Sequence, residues 1–306
     1  MRLDEYQVIF KNIILNASDF LGIDREYIEK DYWLTLLLKG IFKHNNDYVF
    51  KGGTSLSKCH HLISRFSEDI DISYEKSYYE IGISEKERKY KGISSSIKAI
   101  GLMVLRPERL NRDGYFNRFE CPYNTLFNNN KIEKKVIVEL AAQTPSFPTI
   151  EKPIQSFVGE YLEKTGRHDL VIQYELEPFV VKTQSLSRTL VDKIFAICDY
   201  YLSHKCEKHS RHLYDISKIL GVIELNEDIV LLFKQVKEYR KNNPICLSAK
   251  DNVDISNILD EIITNDAYKE DYNNQTARLL YESYPYSKCI ESLKQIRKLL
   301  IDYSLL

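Results

Sequence analysis

The chain has 306 residues, 43 of them basic and 44 acidic, for a formal net charge of -1. That balance excludes a globally basic nucleic-acid binder and leaves room for a local basic patch. Hydrophobic residues make up 43%, enough for a sizeable core at a length that suits one large domain or two ordinary ones. No apolar run approaches the roughly 20 residues of a membrane helix. The opening Met1-Arg2-Leu3-Asp4-Glu5-Tyr6 brings acids where a signal peptide would be apolar. The expected setting is the cytoplasm, with no membrane partner. The six cysteines, Cys59, Cys121, Cys198, Cys206, Cys246 and Cys289, form no Cys-x-x-Cys pair and read as thiols rather than disulfides or zinc ligands.

In chain order, apolar residues at helical spacing predict helices over 3–17 and 25–43, with Asp24 as N-cap of the second. Tyr48-Val49-Phe50 reads as a short buried strand that Gly52-Gly53 ends. Thr54 or Ser55 then caps a helix running to about Ser64. Ile70, Ile72 and Tyr74 alternate with Asp69, Asp71 and Ser73, a strand pattern that sets both aspartates on one face. A charged helix follows over 84–100, then strands at 101–107, 115–122 and 134–141. Pro145, Pro148 and Pro153 mark Thr144–Pro153 as loop, and 178–182 reads as one more strand. Beyond Ser185 helical patterns dominate, at 186–203, 208–221, 226–242, 252–265, 268–282 and 287–303. The expected organisation is α+β: a small mixed sheet in a domain over 1–183, followed by a helical bundle over 184–306.

Two carboxylates at i and i+2 on a strand can share a hard divalent cation, and Mg2+ commonly takes one or two carboxylates plus phosphate oxygens. Such an arrangement suits phosphoryl or nucleotidyl transfer. Asp69-Ile70-Asp71 alone is a weak signal that more often describes a solvated strand face. A Gly pair between strand and helix lets backbone approach a phosphate, although a lone Gly-Gly more commonly describes a simple tight turn. The spacing of a P-loop is absent. Together the two signals place a phosphate cradle beside metal ligands, as in polymerase-β-type nucleotidyltransferases. Glu139, one acid in the apolar stretch Lys135–Leu140, is the candidate third carboxylate; it also fits a strand residue facing solvent.

Lys51-Gly52-Gly53-Thr54-Ser55-Leu56-Ser57-Lys58 followed by Arg65-Phe66-Ser67-Glu68-Asp69-Ile70-Asp71-Ile72 resembles the AbiEii nucleotidyltransferase family, toxins of bacterial toxin–antitoxin and abortive-infection systems with which the MenT toxins belong. Three further segments are similar to the family in the same order: Glu29–Thr35, Arg188–Ala196 and Arg211–Ile216. His212 departs from the pattern, standing where an acid is common. The resemblance implies a polymerase-β-like domain in which Asp69 and Asp71 bind Mg2+, with Mn2+ as a substitute, and Asp69 leads the catalysis. It implies that Gly52, Gly53, Thr54, Ser55 and Lys58 bind the nucleotide, Ser55 and Lys58 through its phosphates. Lys193, on the helical domain, would neutralise the triphosphate in the cleft, and Asp215 would hold Lys193 or take part in proton transfer. Matching serines of related toxins are phosphorylated, which makes Ser67 a regulatory candidate.

The expected activity is transfer of a nucleotide from an NTP to an acceptor such as the 3′ end of tRNA, with a cognate antitoxin as partner. Basic clusters at 86–91, 131–135 and 205–211 could line an RNA groove. Two alternatives stay open: a module binding GTP or RNA without transfer, and transfer to a protein or small-molecule acceptor.

Overall fold

The computed structural model describes residues 1–43, 47–76, 80–108, 116–127, 132–142 and 144–303. Residue 115 of the expected strand and Lys131 of the second basic cluster lie outside them. The chain divides into two units, one formed by Met1–Cys59 and Ser67–Thr183, the other by His60–Phe66 and Gln184–Leu306. The short segment 60–66, which the sequence assigns to the first domain, therefore belongs to the second unit.

The first unit is built on a mixed sheet with strand order β3-β4-β5-β2-β1-β7-β6. Its strands are β1 (Tyr48–Lys51), β2 (Asp69–Tyr74), β3 (Leu105–Glu108), β4 (Phe116–Pro122), β5 (Lys135–Ala141), β6 (Thr149–Ile154) and β7 (Phe179–Gln184). β2 runs antiparallel to β1 and parallel to β5, and β4 is antiparallel to β5. Alternation along β2, β4 and β5 sends Ile70, Ile72, Phe119, Cys121, Val136, Val138 and Leu140 into the core. There they join the buried faces of α1 (Gln7–Leu21), α2 (Arg25–Phe42) and α4 (Ile83–Ala99), among them Phe10, Ile14, Leu34, Leu37, Ile93 and Ile97. The opposite face carries Asp69, Asp71, Ile137, Glu139, Arg118 and Glu120, all half-buried.

Two expectations in this unit are corrected, and a stretch left without an assignment is filled. The helix after the Gly pair, α3, spans Gly52–Lys58 and stops well before Ser64. Past it His61 adopts a positive φ of 49°, and the chain becomes an extended arm. Arg65 bridges Leu280, and Ser64 accepts a hydrogen bond from the Tyr281 amide at 2.8 Å. Long-range pairing has overridden local helical pattern. The presumed loop Thr144–Pro153 overlaps β6, whose one proline, Pro153, is tolerated because the strand sits at the end of the sheet. The segment 155–175, unassigned by pattern, holds α5 (Phe157–Lys164) and α6 (His168–Gln173). Ser156 caps α5 by accepting the Gly159 amide at 3.1 Å.

The second unit is helical over α7 (Leu186–Leu202), α8 (Arg211–Leu220), α9 (Glu227–Arg240), α10 (Ile255–Thr264) and a last described helix, Tyr286–Asp302. Ser185 caps α7 by accepting the Arg188 amide at 3.2 Å. Phe195 of α7 stacks on Phe233 of α9 with ring centroids 4.6 Å apart. The expected helix 268–282 is broken by a π-helical turn, Tyr272–Thr276, and ends at Leu279 so that 280–281 can pair with 64–65. No helix among the described residues is long and apolar enough to cross a membrane.

Candidate active site

Asp69 and Asp71 occupy alternate positions of β2 and share its half-buried face. The strand start is fixed by α3. Thr54, itself buried, donates its hydroxyl to the Asp69 carbonyl at 2.5 Å, and lies 3.0 Å from Ser67 Oγ. α2 braces the same region. Lys30, buried and ion-paired to Glu68, also donates to the Glu133 carbonyl at 3.0 Å. Glu29 accepts from Thr125 Oγ1 at 2.6 Å and the Leu126 amide at 2.7 Å, and burial pushes its carboxyl above the usual range. These two successive charges, both buried and both partnered, brace the segments that flank the strands carrying the acids. Their signal in the sequence was Glu29-Lys30-Asp31 interrupting an otherwise apolar helix face; it carried the family resemblance but no role.

The Gly pair has a demonstrable requirement. Gly52 has φ +76°, and a methyl group on its α-carbon would stand 1.9 Å from Asp71 Oδ2 and 2.7 Å from its Cγ. The Asp71 carboxylate thus lies directly against the Gly52 backbone, which joins the two halves of the motif at one point. Gly52→Ala is expected to push this carboxylate aside. A misplacement on the order of 1 Å costs roughly 10²-fold in rate, and the strained backbone a further ~1–3 kcal/mol of stability. Transfer assays and thermal melts check both; a fully active, equally stable alanine variant would refute the arrangement.

The other turn residues are placed less as anticipated. Gly53 is half-buried in the first turn of α3. Ser55 is fully buried and donates its hydroxyl to the Gly52 carbonyl at 2.9 Å. Lys58 is turned inward: its ammonium lies 2.5 Å from Asp31 Oδ1, 2.7 Å from the Gln155 carbonyl and 4.7 Å above the Phe157 ring. Asp31 also accepts the Phe157 amide at 2.7 Å. The structure therefore brings Gly52, Thr54, Asp69 and Asp71 together and commits Ser55 and Lys58 to interior hydrogen bonds.

Glu139 is the register partner of Asp71 on the neighbouring parallel strand, so the two carboxylates face the same side. Its Oε1 is ion-paired to Arg118 Nη1 at 3.2 Å. Asp69 and Asp71 offer the hard oxygen donors that suit Mg2+, which takes few carboxylates and leaves positions to phosphate and water. The donor chemistry of the pair fits such an ion. A third ligand is not gathered: among the described residues no three His, Cys, Asp or Glu converge as a metal site.

In the second unit, Lys193 of α7 and Asp215 of α8 meet at 2.6 Å. Both are buried, so neither is the surface residue that an isolated reading of its helix allows. Arg65, from the arm 60–66, completes a triad by clamping Asp215 with Nε at 2.8 Å and Nη2 at 2.7 Å. Burial by itself would raise the Asp215 carboxyl, but Arg65 and Lys193 outweigh it and hold the group well below the ordinary carboxylate range. For Lys193 burial wins over the pull of Asp215, and its ammonium titrates below the usual lysine value. His212 Nδ1 lies 3.5 Å from Lys193 Nζ. Burial, aided by Lys193 and Arg211, drives its imidazole well below the ordinary value, so it is neutral at pH 7 and supplies no counter-charge. Among the described residues it is Asp215 that provides this charge to Lys193. Arg65 was visible in the sequence only as part of the Arg65-Phe66-Ser67 motif, with no role.

A sheet face with paired aspartates against a glycine turn is the equipment of a nucleotidyltransferase, and the class follows from the family to which the chain belongs. Residues 36–295 match the nucleotidyl transferase AbiEii toxin family of Type IV toxin–antitoxin systems, and the chain is a member of it. A provisionally assigned nucleotidyltransferase from H. pylori, known from its crystal structure, is similar at 16% identity and a TM-score of 0.44, over 86% of this chain and 91% of that one. No curated protein matches the chain.

Proposed function

We propose that this nucleotidyltransferase is the toxin of a toxin–antitoxin pair, and that it transfers a nucleotide from an NTP to an acceptor such as the 3′ end of tRNA. The observation that carries the reading is the Asp71 carboxylate resting on Gly52 beside Asp69, on the half-open face of β2. In a polymerase-β-like mechanism Asp69 and Asp71 hold the divalent cation, Mg2+ or Mn2+. When bound, that ion supplies charge neutralisation at the attacking and leaving oxygens. Glu139 is the third acid within reach of the same face. The backbone of Gly52 and Gly53 offers close approach to the triphosphate, because no side chain stands in the way.

Lys193 serves in this reading as a fixed positive charge. Asp215 is its holder rather than a base: a carboxylate already accepting from Arg65 and Lys193, and held below the usual range, is poorly disposed to take a proton. A cognate antitoxin and a cytoplasmic setting belong to the same proposal.

Incubating the purified chain with each labelled NTP, Mg2+ and total tRNA tests it. Labelled RNA that depends on Asp69 is the expected product. Absence of any labelled RNA across all four nucleotides would reject the tRNA acceptor, and absence of labelled protein or small-molecule product as well would reject transfer.

A further inference from the structure

Four charged positions form one cross-strand row on the half-open sheet face. Lys51 of β1 is in register with Asp71 of β2, Asp71 with Glu139 of β5, and Glu139 with Arg118 of β4. The order of charge is plus, minus, minus, plus. Neighbouring strands lie about 4.8 Å apart, and like charges directly opposite one another are destabilising. Asp71 and Glu139 therefore need a cation close by. Lys51 stands opposite Asp71, Arg118 meets that need for Glu139 at 3.2 Å, and a divalent ion between the two acids would serve both at once.

We propose that Arg118 is a positioning residue that competes with the divalent cation for Glu139. It holds the third carboxylate away from Asp69 and Asp71 until the metal displaces it, and so sets how tightly the site binds metal. This rests on the nucleotidyltransferase reading of the acids. Three features support it. The pair is soft: Arg118 and Glu139 side chains are 36% and 26% exposed, and ion pairs of that kind are worth little, so a doubly charged ion can break them. Arg118 keeps a partner when Glu139 is withdrawn, since in the same pose its Nε already lies 3.3 Å from Glu120 Oε1 on the same face of β4. And with Arg118 on Glu139, three carboxylates do not converge among the described residues.

The test is a double-mutant cycle read by metal affinity, with no turnover involved. Mn2+ alone is titrated into the full chain and free Mn2+ followed by electron paramagnetic resonance, for wild type, Arg118→Met, Glu139→Gln and the double variant. Arg118→Met is expected to tighten Mn2+ binding about two- to fivefold, the worth of a partly exposed ion pair. In the Glu139→Gln background the same substitution is expected to change it by much less, because no carboxylate remains to compete for. An equal gain in both backgrounds would mean that Arg118 acts only as a nearby positive charge, and overturns the proposal. So does unchanged or weakened binding in Arg118→Met, or no Mn2+ binding by any of the four proteins. The labelled-NTP assay judges the transfer reading separately, since a nucleotidyltransferase whose Mn2+ affinity ignores Arg118 would still label its acceptor.

Discussion

Asp215→Asn is expected to lower the stability of the second unit by about 3–5 kcal/mol, the usual cost of removing one partner from a buried ion pair. The substitution keeps the shape of the side chain and leaves Arg65 and Lys193, both buried, without their counter-charge. Differential scanning calorimetry, which can resolve the transitions of two units, is the measurement. The effect carries a pH signature. The folded Asp215 carboxyl titrates below its unfolded value of about 3.9. Its contribution is therefore fully present above that pH and is lost as the pH falls through it toward the folded value. Asp215→Asn has no such contribution to lose, so the gap between variant and wild type should narrow in acid. A variant as stable as wild type at pH 7 would show that the triad does not hold the unit together.

Asp69→Ala is expected to lower nucleotide transfer by about 10³-fold or more, since the loss of several kcal/mol of charge stabilisation at the reacting oxygens corresponds to at least that factor. Asp71→Asn should do the same. Both side chains sit on the half-buried face, outside the apolar core, so the melting temperature should move little. The contrast with Asp215→Asn is diagnostic: one substitution removes activity and leaves the fold, the other attacks the fold first. Expression of the wild type should arrest growth and expression of Asp69→Ala should not. Toxicity undiminished by Asp69→Ala would take this residue out of the mechanism.

What could be read from the chain without coordinates follows physical range. Alternation in Asp69–Tyr74 and Lys135–Ala141 is a local property, and both strands form where the period-2 pattern puts them. The placement of two aspartates on one face follows from the same rule. Three things were out of reach because they depend on distant partners. The helix expected to run to Ser64 yields to pairing with Leu280 and Tyr281. Strand β6 forms despite Pro153, because a sheet edge asks for fewer amide donors than its interior. Lys58 turns to Asp31, and Arg65 to Asp215 across 150 residues of sequence. Charged residues advertise that a partner exists, while the partner's identity is a tertiary fact. Helix α5 was a plain omission, since Ser156 followed by Phe157, Val158, Tyr161 and Leu162 is a legible cap and apolar stripe.

The arm 60–66 has a consequence for how this protein can be taken apart. Between the glycine turn and the paired aspartates, the chain leaves the first unit, deposits Arg65 in the second, and returns. The polypeptide thus passes from one unit to the other at Cys59, at Phe66 and again at Thr183. A truncation after Thr183 would carry Arg65 away from Asp215, and a fragment starting at Gln184 would lack its guanidinium clamp. Neither half is a transplantable module. Gene fusions, shuffled chimaeras and split-protein reporters cut at Thr183 should give insoluble pieces, whereas a circular permutation that keeps 60–66 in place leaves every ion pair of the triad intact.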